Sequence, residues 1–203
     1  MTVTATDARH SPATQGWSVL LPPGWTSLPT APDAAPAAIR RLLDRTFEGR
    51  ARDELVQVRV ELDRLLREQC AKAAELGATH LHTLTEPVGG VPVSASLVGV
   101  PVTVTTDDEM LDALTVVLGG SAGVVDAGET RLGDHFALRR VRRTPAELGG
   151  PRDAPTPMAT HVDYVVALPD ESALILSFTT TTEPVHEELI VLFEAIASTL
   201  TLA

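Results

Sequence analysis

Residues 157–202 read PMATHVDYVVALPDESALILSFTTTTEPVHEELIVLFEAIASTLTL, and this stretch decides the fold. From Met158 to Leu168 the pattern has a period of two. Ala159, His161, Asp163 and Val165 face one way, and Thr160, Val162, Tyr164 and Val166 face the other, as on a strand. Pro169-Asp170-Glu171-Ser172 has turn chemistry, a ring-fixed φ followed by short polar side chains. Ala173–Thr181 is rich in β-branched and aromatic residues and too short for an ordinary helix. The two runs predict an antiparallel hairpin. Thr182-Glu183-Pro184 then supplies a capping hydroxyl, a carboxylate and a proline, all suited to a helix start. Beyond it, Val185, Leu189, Leu192, Phe193, Ile196 and Leu200 recur at three- and four-residue spacing, with Glu187, Glu188 and Glu194 off the stripe. Neither hairpin nor helix can bury its apolar side alone, so the helix is expected to lie across the hairpin.

Working outward from this unit, the chain upstream is punctuated in the same way. Trp17–Leu21 reads as a short strand that stops at the tight turn Pro22-Pro23-Gly24-Trp25, with both tryptophans on one edge of the core. Thr26–Pro36 reads as a Pro/Ala connector. Ala37–Phe47 reads as a helix with Ile39, Leu42, Leu43 and Phe47 inward. A longer helix over Asp53–Leu76 buries Leu55, Val58, Leu62, Leu65, Leu66, Ala73 and Leu76, and Gly77 caps it. Its other face carries Glu61, Arg64, Glu68, Lys72 and Glu75, an arrangement that solvation alone explains.

Ala78–Thr85 reads as a strand, Glu86–Gly90 as a turn, and Val91–Thr105 as a long β segment. Pro92, Gly99 and Pro101 give that segment an edge position or a bend. Thr106-Asp107-Asp108-Glu109 is a capping box for a helix running to Leu118. Val124–Thr130 and Asp134–Arg143 form a further hairpin around Leu132-Gly133, and Thr144–Thr156 is a loop. Strands that follow one another without a helix between them imply hairpins. The class is therefore α+β, with a mainly antiparallel sheet and helices packed on its faces. Residues 1–16 read as a flexible arm and residues 17–203 as one domain.

Composition narrows the function classes. The net charge of −11 argues against non-specific binding to nucleic acid or to anionic lipid. Lys72 is the one lysine among sixteen basic residues, the mark of a GC-rich coding sequence. A single cysteine excludes an intramolecular disulfide framework. The first sixteen residues lack a basic and then apolar signal, and no apolar run reaches about 18 residues, so a cytoplasmic protein is expected.

Candidate chemistry is sparse. His80 and His82 share a strand face, as do His161 and Asp163. If those strands were neighbours, the four side chains would assemble a Zn²⁺ or Fe²⁺ site. As polar positions of half-exposed strands they need no metal, and no metal or cofactor is expected. Cys70 lies between Leu66 and Ala73 on the inward half of its helix, where a small buried hydrophobe fits better than a catalytic thiol. Asp107, Asp108 and Glu109 are accounted for by the capping box and the helix dipole. The glycine clusters lack the Gly-Lys-Ser/Thr of a phosphate cradle, and Gly119-Gly120-Ser121-Ala122-Gly123 follows an expected helix instead of preceding one.

Arg139, Arg140, Arg142 and Arg143 are the one concentrated positive feature, and they are the candidate partner-binding residues. On a strand they split between faces, Arg140 and Arg142 against Arg139 and Arg143, so that one pair can meet internal carboxylates while the other meets solvent. The plain alternative is a solvated edge strand guarded by charge.

Three features carry a family likeness: Leu-Pro-Pro-Gly-Trp at Leu21–Trp25, long helices alternating with hairpins, and the closing pattern from Tyr164 through Leu200. Together they resemble the Mog1/PsbP-like α/β fold, which has actinobacterial lipoprotein and cytoplasmic members. The resemblance implies an antiparallel sheet of about six or seven strands with helices on both faces, and members that bind protein partners instead of acting as enzymes. No functional residues transfer, and the lipobox cysteine of the lipoprotein members is missing near the start. The expected function is a non-catalytic module that binds a protein partner, with neither nucleic acid nor membrane. The alternative is a metal-dependent enzyme or metal-binding protein built on the strand histidines.

Overall fold

The computed structural model describes residues 9–10, 16–48, 52–102, 120–146, 156–168 and 172–202. The expected capping box and helix between Thr106 and Leu118 lie outside these residues, as does most of the loop after Thr144. Strands β1 (Arg9–His10), β2 (Trp17–Ser18), β3 (Leu20–Leu21) and β4 (Trp25–Pro29) lead into helices α1 (Ala35–Thr46) and α2 (Arg52–Glu75). Then come β5 (His80–Leu84), β6 (Ser96–Val102), β7 (Val124–Leu132), β8 (His135–Pro145), β9 (Met158–Ala167) and β10 (Ala173–Thr180). A single 3₁₀ turn (Glu183–Val185), helix α3 (His186–Ala197) and β11 (Thr201–Leu202) follow.

One seven-stranded sheet, ordered β4-β5-β6-β10-β9-β8-β7, has every neighbouring pair antiparallel. This is the α+β architecture the alternating pattern predicts. β9 and β10 pair from Ala167 against Ala173 to Thr160 against Thr180, as the hairpin reading requires.

The α3 face of the sheet holds the larger core. Val162, Tyr164, Leu174, Leu176 and Phe178 are buried beneath Leu189, Phe193, Ile196 and Leu200. Phe178 stacks on Phe193 with ring centroids 5.0 Å apart, and burying such a ring is worth roughly 1.5–3 kcal/mol. On the opposite face, α1 and α2 cover the β4–β5–β6 end, where Leu28 and Leu81 meet Ile39, Leu42, Leu43 and Cys70. Trp17 and Trp25 both pack against the α3-side core, as expected. A β-carbon on Gly99 would lie 2.0 Å from the Trp17 ring, so the glycine is what lets the indole rest on β6.

Four expectations change. Thr26–Pro29 is not a connector but most of β4, the end strand of the sheet; its partner β5 lies some fifty residues on, beyond any local pattern. β6 is interior instead of at an edge, but β5 pairs only with Ser96, Leu97 and Val98, so Pro101 costs no ladder bond on that side. The Thr182 hydroxyl caps no helix, because it accepts the Ser94 amide at 2.8 Å. Val58 and Leu76 lie exposed rather than on the buried stripe of α2. Within the stretch read as an arm, Arg9 and His10 pair with Leu21 and Leu20. Gly77, at φ +89°, does end α2 as expected.

Candidate functional site

β8 is flanked by β7 and β9, so its arginines stand inside the sheet and not at an edge. Alternation sends Arg139 and Arg143 to the α3 face. Arg139 donates to Asp126 and, at 2.5 Å, to Glu194 of α3, while Arg143 Nη2 donates to both oxygens of Glu183 at 2.5 and 2.7 Å. Arg140 and Arg142 take the other face and share Asp163. Arg140 donates to Oδ2 through Nη2 at 2.7 Å and Nε at 3.2 Å, and Arg142 through Nε at 3.2 Å. Both pairs therefore meet internal carboxylates, where one was expected to face solvent. Arg142 is the least committed of the four, giving only its Nε.

Asp163, 5% exposed, also accepts the Ser177 hydroxyl at 2.6 Å. Burial pushes its carboxyl up. The Ser177 hydrogen bond, with the hydrogen bond and charge of Arg140 and the charge of Arg142, more than offsets this and holds it below the usual carboxylate range. Beside it His161 sits between Thr179 Oγ1 at 3.1 Å and Thr144 Oγ1 at 3.2 Å. Burial, and then the Arg142 charge, keep its imidazole neutral to lower pH than usual, against the pull of Asp163. The result is a cross-strand polar row in which two guanidiniums share one buried carboxylate. It suits a structural network better than a proton-transfer pair.

His80 and His82 do not join this row. His82 pairs across the sheet with Leu97, Leu97 with Phe178, and Phe178 with Val162, which places it on the α3 side. His161 and Asp163 face the opposite way, with β6 and β10 between. The four side chains therefore form no common site. Among the described residues no three His, Cys, Asp or Glu side chains stand together as metal ligands. His82 bonds Ser27 Oγ through Nδ1 at 2.7 Å and meets Trp17 edge-on. Burial, and then its neighbour His80, lower its pKa to about 4. Cys70 is 2% exposed, and burial raises its thiol pKa, so it is a poor nucleophile.

Concave surface lies at both ends of the sheet. Over β7, a cavity of about 490 Å³ is lined by Gly128, Thr130, Arg139, Tyr164, Glu194 and Ser198. The Tyr164 hydroxyl is buried there without a hydrogen-bond partner, and burial raises its pKa to about 12. At the far end, two cavities of about 510 and 470 Å³ abut at Thr26 and Arg45, between β4 and α1. Arg41 and Arg45 line this end. They form no run in the sequence, and the signal that marks them is their i, i+4 spacing on the polar side of α1.

No protein-family model matches the sequence, and no curated protein matches it either. Among solved structures, that of LpqN, involved in cell envelope biogenesis of Mycobacterium tuberculosis, aligns with 97% of this chain and 91% of its own at a TM-score of 0.51 and 12% identity. The chain has the Mog1/PsbP-like fold. The solution structure of cyanobacterial PsbP (CyanoP) from Synechocystis sp. PCC 6803 aligns at a TM-score of 0.47 and 11% identity, over 100% of this chain and 98% of that one. At such identities the likeness concerns the path of the backbone. What the Mog1/PsbP-like scaffold does here has to be read from this chain's own side chains. Among its described residues no helix is long and apolar enough to cross a membrane.

Proposed function

We propose that the chain is a non-catalytic protein-binding module of the cytoplasm. The observation that carries the reading is the form of the sheet's ends. Among the described residues β4 and β7 each pair on one side only, and each borders a cavity of about 500 Å³ with charged walls. Unpaired strand edges are templates for another chain, and the polar lining suits a protein surface better than an apolar small molecule. Of the arginines expected to meet a partner, Arg142 retains terminal nitrogens that donate to no described residue, whereas Arg139, Arg140 and Arg143 already serve the fold. Metal-dependent chemistry at the histidines lacks support, since the two pairs occupy opposite faces of the sheet.

Affinity capture from the native host at about 150 mM salt, where exposed charges beyond about 8 Å are screened, tests the proposal. The expected result is one protein that co-elutes stoichiometrically on size exclusion, and that Arg142→Glu weakens while the circular dichroism is unchanged. A chain that captures nothing stoichiometric yet turns over a substrate overturns the reading. Recovery of the native protein in the membrane or envelope fraction overturns its cytoplasmic placement.

A further inference from the structure

We propose that the β4 edge and the adjoining face of α1 bind a short, extended, acidic segment of a partner protein, which adds to the sheet as an eighth strand. The inference rests on the protein-binding reading and gives that partner its chemistry.

Three observations converge. The first is the backbone. The Thr30 amide donates to the Thr79 carbonyl and the Thr85 amide to the Gly24 carbonyl, so Gly24, Thr26, Leu28 and Thr30 turn their backbone groups toward β5. By alternation Trp25, Ser27 and Pro29 turn theirs outward, away from the sheet. Ser27 there offers both an N–H and a C=O. Pro29 has no N–H, which keeps the added strand short and is a common guard on an edge.

The second is space. The two abutting cavities run along this edge, and their floor includes the buried side chains of Leu28, Ala38 and Leu42.

The third is charge. Arg41 and Arg45 are exposed and line the groove, and neither forms an ion pair with any described residue. Arg45 also favours the C-terminal turn of α1 through the helix dipole, but Arg41 stands a turn earlier and has no such role. Of the lining carboxylates, Asp44 is held by Arg59 of α2 at 2.5 Å, which leaves Glu86 of the first cavity. On a chain of net charge −11, two unpaired guanidiniums beside a free strand edge form a local positive site.

The spacing specifies the ligand further. Four residues of helix rise about 6 Å. Two residues of strand advance about 6.7 Å, so carboxylates at alternate positions of an extended peptide match the interval between Arg41 and Arg45. The preferred segment is therefore acidic-x-acidic, with its backbone on Ser27 and its carboxylates on the arginines. A second copy of this chain fits less well, because pairing β4 with β4 would bring four arginines together.

The test uses the full chain and fluorescein-labelled peptides of alternating Val and Glu, with three controls: alternating Val and Gln, the same composition with adjacent glutamates, and an N-methylated backbone. Anisotropy should show saturable binding of the Val/Glu peptide. The Gln, adjacent-Glu and N-methyl controls should each bind about tenfold more weakly or worse, since each removes a charge-assisted or backbone contact. Arg41→Ala/Arg45→Ala should lose affinity about tenfold with unchanged thermal stability, because both side chains are exposed. Equal affinity for the Glu and Gln peptides, equal affinity of the double variant, or no saturation at millimolar peptide overturns the inference. So does self-association in sedimentation that the double variant abolishes, since a second copy then holds the edge. The readings separate cleanly. A captured host partner that the double variant retains in full overturns this site and leaves the protein-binding proposal standing.

Discussion

The two ends of the sheet treat arginine in opposite ways. On β8, Arg139, Arg140, Arg142 and Arg143 form the densest positive run of the chain, and each is met by a carboxylate of the fold. At the β4 end, Arg41 and Arg45 sit four apart on α1 with no carboxylate of the described chain paired to them. A cluster in sequence is therefore not a patch on the surface. Cross-strand register sets Arg140 directly opposite Asp163, and Arg139 opposite Gly128 with Asp126 on the diagonal, so the β8 arginines meet carboxylates where they arise, Arg140 and Arg142 sharing one. The α1 arginines look outward past a short edge strand and keep their charge available.

That contrast breaks or sharpens under substitution, most sharply at Asp163. Asp163→Ala leaves Arg140 and Arg142 half-buried without their shared anion, and it should cost about 3 kcal/mol, the low end for breaking a buried ion pair. Urea denaturation measures it. A loss under about 1 kcal/mol would mean that water solvates these guanidiniums, and that the two ends differ less than their geometry implies.

Acid probes the middle of the sheet with similar force. His82 binds its proton near pH 6.5 when unfolded and near 4 when folded, so the unfolded state takes up the proton first. Stability is fully present above about pH 6.5 and falls as pH drops toward 4, by roughly 3 kcal/mol at 1.36 kcal/mol per unit. Chemical denaturation at pH 7 and at pH 4.5 should show the fall, and His82→Gln should reduce it, leaving the contributions of His80 and His161, whose pKa values burial also lowers. A wild-type curve flat across that window would contradict the burial of the imidazole. Asp163 adds nothing there, since its depressed pKa loses stability only as pH falls below the ordinary aspartate range.

Gly99→Ala should cost about 1–3 kcal/mol, because its methyl group would sit inside the Trp17 ring and force β2 off β6. Thermal unfolding followed by tryptophan fluorescence reports it directly; an unchanged midpoint means that Trp17 has an alternative seat.

The smallest effect belongs to the β4 end. Arg41→Ala and Arg45→Ala should each change stability by no more than about 0.5 kcal/mol, the usual range for exposed positions without a partner. A larger loss from either would show that the guanidinium serves the fold, as on β8, and would erase the difference between the ends.

Sequence alone determined the C-terminal unit and the class of the fold. The period of two over Met158–Ala167, the turn residues after Leu168 and the three-and-four spacing from Leu189 to Leu200 are local patterns, and local patterns survive without knowledge of neighbours. α1, α2 and the Gly77 cap were legible for the same reason, as was the burial of Cys70. Tertiary structure decided the rest. β4 is five residues bracketed by prolines, and it becomes a strand only because β5, some fifty residues on, supplies its hydrogen bonds. The Thr182 hydroxyl looked like a helix cap until the Ser94 amide arrived from 88 residues away. His80 and His82 could not be separated from His161 and Asp163 by spacing, since a strand pattern fixes which residues share a face but not which face looks which way. Whether an arginine is a partner's contact or a strand's counter-charge is the same kind of question. Its answer is a distance between atoms far apart in sequence, and only the folded chain sets that distance.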